Sequence, residues 1–374
     1  MISSHRFKKP KIDFILALTV FALVGFGLMM VSSASAVLSY EYFGHNNYYL
    51  YRQLMFCGVG IIGWIFAQSI DYHFWKKIAV PFFIVSIVLA LIVFIPHVGF
   101  NYGGATRWIN LGFFLLQPSE ILKLSLIIFI ANWFEEKRKN ITSFKNIFVP
   151  FCLIIVAIGA IMMKQPDMGT FMVIACTAFT MYFIAGARPI HIGAMIGGGL
   201  AAIMLLIKAA PYRMSRFLVF LNPESDPQGI GFHINQALIA VGSGGLLGRG
   251  FGKSGQKYTG YIPEAAGDSI FAIIAEELGF VKVIIFPVLL FVLFAWRGYR
   301  IAKNASDFFG KLLAFGITSW IIFQAFINIA TMLSLIPLTG VPLPFISYGG
   351  SSLIINLTAI GVLLNISKHQ ADLG

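Results

Sequence analysis

The segment that says most about this chain is Gly260-Tyr-Ile-Pro-Glu-Ala-Ala-Gly-Asp-Ser-Ile-Phe-Ala-Ile-Ile-Ala-Glu-Glu-Leu-Gly279. Four carboxylates crowd the start of a run that is otherwise apolar enough to be embedded in a membrane. Ionisable groups in such a run cost free energy and are usually retained for a function. The segment therefore predicts a membrane helix with a candidate site at its beginning. The four residues are Glu264, Asp268, Glu276 and Glu277.

The composition of the whole chain is that of a polytopic membrane protein. Of its 374 residues, 58% are hydrophobic and 11% are charged, against about 25% charged residues in a typical soluble domain. Apolar runs of roughly 20 residues, each long enough to cross the bilayer as a helix, recur almost from end to end. We predict an all-α polytopic membrane protein with about ten transmembrane helices. The predicted spans are 14–36, 52–70, 78–96, 116–134, 147–163, 168–186, 189–207, 269–295, 312–335 and 347–366.

Basic residues alternate with the predicted spans. The formal net charge is +12, but the lysines and arginines form no continuous patch, so a nucleic-acid partner is not expected. They cluster before the first span and after the second, fourth and eighth. The positive-inside rule then makes those loops cytoplasmic, together with the terminal segments 1–13 and 367–374. Arg107 and Lys164 are exceptions in the opposite loops, which makes them candidates for a function.

Residues 208–267, between the seventh and eighth spans, form the one long segment that is not predicted to cross the membrane. By the charge alternation it lies on the extracytoplasmic face. Its apolar and aromatic anchors argue against disorder, and Asn222 to Gly229 has turn chemistry. We predict a folded re-entrant or interfacial layer with a short helix near His233 to Val241. We treat residues 1–374 as a single membrane domain.

A glycine-rich run, Gly242 to Gly252, has two interpretations. Its backbone N–H groups could converge on a phosphate, or it could be a tight turn that returns the chain to the membrane surface. Its spacing matches neither the Walker nor the dinucleotide-binding motif. Both interpretations stay open.

Charged residues near the predicted outer ends of spans form a second pattern. Glu120 and Lys123 are three residues apart, so one face of a helix holds both. They are either a structural ion pair that locks two helices or part of a substrate site. Glu276 and Glu277 are predicted to be structural and to pair with cations such as Lys123 or Lys282.

Asp268 differs from these residues in its position. A carboxylate at the outer start of the eighth span would contact water, headgroups and protein together. Its alternative role is a helix N-cap before Ser269-Ile-Phe-Ala, for which Asp is well suited.

Motifs spread along the chain resemble the SEDS family (shape, elongation, division, sporulation), and the match runs from the first span to the last. Details near Gln256-Lys257 and Phe345-Ile-Ser-Tyr348 resemble the division members more than the elongation members. The motifs are Arg107-Trp-Ile, Gln117-Pro-Ser-Glu-x-x-Lys123, Lys164-Gln-Pro-Asp-Met-Gly169, Phe220-Leu-Asn-Pro-x-x-Asp-Pro-x-Gly229, Ala240-Val-Gly-Ser-Gly-Gly245, Pro263-Glu264 with Asp268-x-Ile-Phe-Ala, Glu276-Glu-Leu-Gly279 and Pro337-Leu-Thr-Gly-Val-Pro-Leu-Pro-Phe-Ile-Ser-Tyr-Gly-Gly-Ser-Ser352.

The resemblance implies ten transmembrane helices, a large extracytoplasmic loop between the seventh and eighth, and a peptidoglycan glycosyltransferase. Such an enzyme polymerises lipid II at the outer face of the bacterial cytoplasmic membrane, here for septal wall synthesis at the division site. The implied partners are lipid II, a class B penicillin-binding protein with transpeptidase activity, and divisome proteins. Asp268 falls on the position proposed in the family as catalytic.

The expected chemistry fits the candidate residues. Transfer to a sugar 4-hydroxyl with a diphosphate leaving group needs a base and cations. A carboxylate shielded from water has a raised pKa, which improves it as a base, so Asp268 is the hypothetical base. Cations can neutralise the phosphates, and Arg can do so bidentately. A divalent cation, Mg²⁺ or Mn²⁺, is compatible with this chemistry, but no cofactor is certain. The candidate substrate contacts are Arg107, Lys123, Arg213, Arg216, Glu264, Ser347 and Gly349.

One departure from the family pattern lies beside the proposed base. The family commonly has His-Thr before the aspartate, whereas this chain has Ala266-Gly267, which removes two polar side chains. Two other functional classes remain open: a flippase for lipid-linked precursors, and a non-catalytic scaffold that recruits a transpeptidase. A flippase should need charged residues through the midplane, of which the chain has few, and a scaffold would tolerate loss of Asp268.

Overall fold

The computed structural model describes residues 12–102, 104–112, 114–208, 210–223, 226, 229–258 and 262–369. Helices dominate the described chain, and one small sheet lies among them. The helices are α1 (Phe14–Phe43), α2 (Tyr48–Ser69), α3 (His73–Lys77), α4 (Ala79–Ile92), α5 (Pro118–Glu136), α6 (Val149–Lys164), α7 (Met168–Ile184), α8 (Pro189–Lys208), α9 (Pro211–Leu221), α10 (Ile230–Gly244), α11 (Gly255–Tyr258), α12 (Ile270–Val283), α13 (Leu289–Asn304), α14 (Phe308–Met332) and α15 (Gly350–Lys368). The strands are β1 (Gly99–Tyr102), β2 (Ala105–Asn110) and β3 (Leu115–Leu116).

Each of the ten predicted spans overlaps a helix, and the span 269–295 overlaps two, α12 and α13. Within the described residues, seven helical segments are long and apolar enough to cross a membrane. Helices α4 and α7 are apolar but have only 14 and 17 residues, and α5 carries charges at both ends. The all-α polytopic membrane class is confirmed, while the count of ten crossings stays a prediction. The seven segments are Phe14–Phe43, Tyr48–Ser69, Phe144–Lys164, Pro189–Lys208, Ile270–Asn304, Phe308–Met332 and Gly350–Lys368.

The two ends of the described chain meet at one end of the bundle. The Asp13 backbone N–H donates to Ser367 Oγ at 3.1 Å, and the Asp13 side chain caps α1 by accepting from the Leu16 N–H at 2.9 Å. Arg297, in the middle of α13, forms an ion pair with the same carboxylate. An even number of crossings places both termini on one side, and this geometry agrees with it.

The small sheet between α4 and α5 was not predicted. Strand β2 pairs antiparallel with β1 and with β3. Strands of two to six residues in a loop carry too little hydrophobic alternation to be read from sequence. Gly99 shows how tightly this loop folds back, because a Cβ there would lie 2.0 Å from the Val93 carbonyl oxygen.

Close helix packing in the bundle depends on small residues. Helix α15 packs along α2, and a Cβ at Gly361 would lie 2.3 Å from the Trp64 carbonyl oxygen. Gly27 of α1 similarly leaves room for the chain between α14 and α15, since a Cβ there would lie 2.4 Å from the Phe345 oxygen. Small residues allow such approach of backbones in membrane proteins.

The predicted span 269–295 is interrupted by a bend. Gly279 has φ 77° and ψ 170°, so α12 and the apolar chain that continues into α13 do not form one straight helix. Pro287 lies in a π-helical segment, Ile284–Val288, before α13 begins. Glycine adopts this left-handed conformation without the penalty of a Cβ.

Helix α10 matches the short helix that the sequence predicts near His233. It runs roughly parallel to α12, because His233 at its start contacts Ser269 at the start of α12 and Gly244 at its end packs on Ala275 further along α12. Part of the segment 208–267 therefore folds against α12 as an ordered layer. The extracytoplasmic position of that layer stays a prediction.

Candidate functional site

Asp268 lies in the turn that immediately precedes α12. The N-cap position of α12 is Ser269, which makes no side-chain cap hydrogen bond, so Asp268 does not act as the helix cap considered above. The backbone oxygen of Asp268 accepts a hydrogen bond from Asn328 Nδ2 at 2.7 Å. The turn is thus fixed through its backbone, and the Asp268 carboxylate is left for another role.

The Asp268 carboxylate is partly buried and has no cationic partner. Among the described residues, no lysine, arginine or histidine forms an ion pair with it. Burial, and then the negative charge of Glu264, raise the pKa of Asp268 to about 7, while a hydrogen bond from Ser269 acts in the opposite direction. A carboxyl group with this pKa is divided between its two protonation states near neutral pH, as a general base requires.

Glu264 lies beside Asp268 because the chain turns sharply between them. Its backbone is left-handed, with φ 50°, and its carbonyl oxygen accepts from the Gly267 N–H at 2.8 Å. A Cβ at Gly267 would lie 3.2 Å from Glu264 Oε2. The absence of a side chain at 267, which departs from the family pattern, gives the Glu264 carboxylate room next to Asp268.

The chain between α14 and α15 covers the other side of Asp268. Ser347 Oγ donates to the Gly267 carbonyl oxygen at 2.7 Å, and the Tyr348 N–H donates to the Ala266 oxygen at 2.8 Å. Gly340, at φ 69°, comes so close that a Cβ there would lie 3.5 Å from Asp268 Oδ2. Residues 337–349, which we call the covering loop, thus form one wall of the site.

Of the predicted substrate contacts, Ser347 and Gly349 lie in the covering loop. Ser347 is buried, and its hydroxyl donates its hydrogen bond to the backbone next to Asp268. The Gly349 N–H donates to Gln53 Oε1 at 3.3 Å, and the Gln53 amide in turn donates to the Ser347 oxygen. The structure therefore assigns both residues a supporting position in the wall.

Lys123 lies beneath the covering loop and is buried. Its ammonium donates to Glu120 Oε1 at 2.9 Å and to Gln324 Oε1 at 2.6 Å, so the pair joins α5 to α14. The amide of Gln324 donates to the Pro342 oxygen at 3.0 Å. Lys123 is 3% exposed and supports the loop from below, and its contact with substrate phosphate stays a prediction.

Helix α14 also ties the covering loop to Asp268 directly. Asn328 Nδ2 donates both to the Asp268 oxygen and to the Val341 oxygen, the latter at 2.8 Å. One side chain thus sets the distance between the turn and the loop. The sequence analysis did not identify Asn328, because nothing near it in sequence indicates that it contacts residues 13 and 60 positions away.

Helices α9 and α10 bring cations and a histidine to the same region. Arg216 donates to the Leu338 oxygen of the covering loop at 3.1 Å, and Arg213, one turn earlier, donates to the Leu206 oxygen at 3.1 Å. Burial and the charge of Arg216 lower the pKa of His233 to about 4. Arg216 is therefore a predicted phosphate contact that the structure brings to the covering loop and close to His233.

Arg107 is positioned by the start of α7. Its guanidinium donates to the Gln165 oxygen at 3.2 Å and to the Pro166 oxygen, and it lies 4.0 Å from Asp167 Oδ1. Two residues further on, Gly169 packs under the covering loop, since a Cβ there would lie 2.4 Å from Val341 Cγ2. Arg107 thus borders the site through α7, and its role toward substrate stays a prediction.

Glu276 and Glu277 form a separate cluster further along α12. Glu276 accepts from Arg249 at 3.1 Å and from Ser254 Oγ at 2.5 Å. Glu277 accepts from Lys257 Nζ and from Ser33 Oγ of α1, both at 2.7 Å. This buried cluster fastens the chain after α10 to α12 and α1.

The expected partners of these two glutamates, Lys123 and Lys282, were wrong. Lys282 follows the bend at Gly279, which turns it away from the cluster, and its ammonium donates instead to the Leu247 oxygen at 3.0 Å. Lys123 is held by Glu120 and Gln324, as described above. The actual partners, Arg249 and Lys257, lie within and just after the glycine-rich run, and they reach the glutamates because α10 packs along α12, which the sequence does not show.

The N–H groups in and just after the glycine-rich run bind carboxylates of the protein itself. The Gly252 N–H donates to Glu277 Oε2 and the Gly255 N–H to Glu276 Oε1, both at 3.0 Å. Gly248, at φ 79°, packs against the backbone of α12. The geometry favours the tight turn over a phosphate cradle.

The turn around Asp268 offers few ligands for a resident metal ion. Among the described residues, no group of three or more His, Cys, Asp or Glu side chains is placed to hold a metal ion. Mg²⁺ keeps several waters and takes ligands from substrate phosphates, so the substrate diphosphate would carry such an ion.

Comparison with known proteins places the chain in a family. Residues 14–372 match the family model of FtsW, RodA and SpoVE, described as cell cycle proteins. Stage V sporulation protein E of Bacillus subtilis is 45% identical over 363 residues, which cover 97% of this chain and 99% of that protein. A probable peptidoglycan glycosyltransferase FtsW of Trichlorobacter lovleyi is 42% identical, with 96% and 94% covered.

Solved structures agree with these relatives. A chain from a peptidoglycan synthase complex that coordinates polymerisation and crosslinking matches with a TM-score of 0.78 and 26% identity, covering 96% of this chain and 99% of that one. RodA of Thermus thermophilus matches with a TM-score of 0.71 and 26% identity, covering 96% and 98%. The chain belongs to the FtsW, RodA and SpoVE family of cell cycle proteins, the SEDS family that its motifs indicate.

Proposed function

We propose that this protein is a peptidoglycan glycosyltransferase that polymerises lipid II into glycan strands. The observation that carries the proposal is the carboxylate of Asp268, which is partly buried, has no cationic partner in the part of the chain that the structure describes, and has a pKa raised to about 7. Relatives named as probable peptidoglycan glycosyltransferases support the same activity. Perturbed groups of this kind are typical of catalytic sites.

In the proposed reaction Asp268 is the general base. The acceptor sugar's 4-hydroxyl oxygen attacks the anomeric carbon of the lipid-linked donor, forming the new glycosidic C–O bond. The bond between that carbon and the diphosphate oxygen breaks, and its electron pair leaves with the lipid diphosphate. The hydroxyl proton ends on Asp268 and is later released to water. A base positioned in this way typically contributes about 10²–10⁴-fold to rate.

The leaving diphosphate needs positive charge. Arg216 and Arg213 on α9 are the proposed phosphate contacts, with Arg107 at the border of the site, because an arginine fork matches phosphate geometry bidentately. A divalent cation brought with the substrate would also neutralise charge on the diphosphate. Lys123, Ser347 and Gly349 hold the covering loop in place, and this loop borders the proposed site for lipid II.

The proposed setting is the outer face of the bacterial cytoplasmic membrane, with both termini cytoplasmic and residues 208–267 outside. We propose a class B penicillin-binding protein as the partner that crosslinks the new strands, with divisome proteins at the septum. The relative named for stage V of sporulation favours wall synthesis in sporulation as a second process for the same chemistry.

The test is glycan-strand formation from purified lipid II by the protein reconstituted with its cognate transpeptidase. The native protein should form polymer, and Asp268→Asn should lower the rate about 10²–10⁴-fold. The variant should unfold at the same or a higher temperature, since a carboxyl with a raised folded-state pKa costs stability as pH rises through that pKa.

Other results of this experiment would support a flippase or a scaffold in place of a polymerase. Equal polymer from the native protein and Asp268→Asn would remove Asp268 as the base. An absence of polymer from both, together with movement of lipid II across the bilayer by the native protein, would support a flippase. An absence of both activities, with an intact complex, would support a scaffold.

A further inference from the structure

The hydroxyl of Ser269 lies among three polar groups next to the proposed base. Its Oγ is 2.7 Å from His233 Nε2, 2.8 Å from the Pro263 carbonyl oxygen and 3.4 Å from Asp268 Oδ1. Ser269 and His233 are both buried, so water does not compete readily for these bonds. The proposed reaction uses neither residue.

The protons available fix the direction of these bonds. The Pro263 oxygen can only accept, and so can the Asp268 carboxylate when it is ionised. The Ser269 hydroxyl has a single proton for these two acceptors. His233 is neutral near pH 7 because burial and Arg216 lower its pKa to about 4, and its tautomer is set by its partners. The arrangement is satisfied when His233 Nε2–H donates to Ser269 Oγ.

We infer that Ser269, held by His233, is a positioning residue whose hydroxyl turns between the Pro263 oxygen and Asp268 according to the charge on Asp268. The inference rests on the proposed function, because it needs Asp268 as the base. Before the reaction, the O–H donates to the ionised carboxylate and orients the oxygen that will take the proton. Once Asp268 is protonated, the hydroxyl returns to the Pro263 oxygen.

No proton passes through Ser269 in this scheme. The hydroxyl keeps its own proton and only rotates, while the proton from the acceptor sugar ends on Asp268. The bond to the carboxylate is charge-assisted, and it is stronger than the one to a neutral carbonyl. The preference of the hydroxyl therefore follows the ionisation of Asp268.

The side chains around the turn make Ser269 the residue suited to this role. Positions 266 and 267 are Ala and Gly and offer no polar side chain. Among the described residues, Ser269 has the one side-chain hydroxyl that is hydrogen-bonded to the Asp268 carboxylate. Charged, titratable and polar groups from several elements surround this turn. They are Glu264 on the turn itself, His233 of α10, Arg216 of α9, the neutral amide Asn328 of α14, and Tyr348 of the covering loop, which contacts Ala266.

The test is the pH dependence of kcat/KM for lipid II polymerisation by the native protein and Ser269→Ala, each with its transpeptidase. Loss of a hydrogen bond to the ionised form raises the pKa of Asp268. The acid limb of the profile, where kcat/KM rises with pH as Asp268 ionises, should therefore move to higher pH by about half a unit to one unit. On that limb the rate should fall about three- to tenfold, with a smaller change at high pH. Ser269→Thr keeps the hydroxyl and should restore the native limb.

A second variant guards against a folding defect. Ser269→Gly also removes the hydroxyl, and glycine is tolerated at an N-cap, so it should shift the limb like Ser269→Ala. An unmoved limb in both variants, with the rate lowered equally at every pH, would overturn the inference and leave Ser269 a structural residue. If Asp268→Asn in the same assay polymerises like the native protein, the proposed function has failed instead.

Discussion

Two groups of carboxylates on one short stretch of chain have opposite environments. Glu276 and Glu277 are fully buried, and each is matched by a cation and by hydroxyl or backbone donors. Among the described residues, Asp268, eight residues before Glu276, has no cationic partner, and its carboxylate receives hydrogen bonds from the Ser269 hydroxyl and from the backbone of Asp268 and Ser269. The difference assigns the first two a structural role and leaves the third available for the proposed role of base.

The comparison also explains how the site stays in place without an ion pair. The turn around Asp268 is fixed through its backbone, by Asn328, Ser347 and Tyr348. The cluster on α12 fixes the chain through its side chains. A site built by backbone contacts leaves the side chain of its central residue unneutralised, which is what proton transfer from a sugar hydroxyl requires.

The largest expected effect is on stability, at the paired carboxylates. Glu277→Gln leaves the buried Lys257 ammonium without its counter-ion, and removing one partner of a buried pair typically costs about 3–5 kcal/mol. Thermal unfolding of the purified protein measures this cost, with Asp268→Asn as the matched control. A Glu277→Gln protein as stable as the control would break the contrast between the two groups.

A smaller effect is expected where the covering loop is tied to the turn. Asn328→Leu removes the donor for the Asp268 and Val341 oxygens, and each buried carbonyl left without a partner costs about 1–3 kcal/mol. The polymerisation rate should fall, because the covering loop is no longer held at a fixed distance from Asp268, while binding of the transpeptidase is kept. Full activity in Asn328→Leu would show that the backbone ties are dispensable.

The smallest effect is a shift in pH dependence. Glu264→Gln removes the negative charge that helps raise the pKa of Asp268, so the pKa falls and the base stays ionised to lower pH. The acid limb of the polymerisation rate should move to lower pH by less than about one unit. This direction is opposite to that expected for Ser269→Ala, and a limb that moves upward in Glu264→Gln would contradict the electrostatic account.

The sequence predicted the elements that depend on local composition. Apolar runs predicted where the helices lie, and helical spacing put Glu120 and Lys123 on one face, where they pair at 2.9 Å. The motif around Asp268 supplied the candidate base, and its role stays a prediction. Each of these depends on neighbours within a few residues.

Contacts between distant parts of the chain could not be predicted. Glu277 and Ser33 are 244 positions apart, and their bond exists because α1 and α12 pack together. The bend at Gly279 redirected Lys282, and the packing of α10 along α12 brought His233 to Ser269. A polar residue in these segments offers no signal for which distant group it will bind.

The most direct measurement is the infrared carbonyl band of protonated carboxyl groups as a function of pH, taken as the difference between the native protein and Asp268→Asn. It reports the charge of Asp268 without depending on activity. The account predicts a band that disappears with a midpoint near pH 7. A midpoint near 4, the ordinary value for an exposed aspartate, would contradict the claim that this carboxylate is kept unpaired and poised as a base.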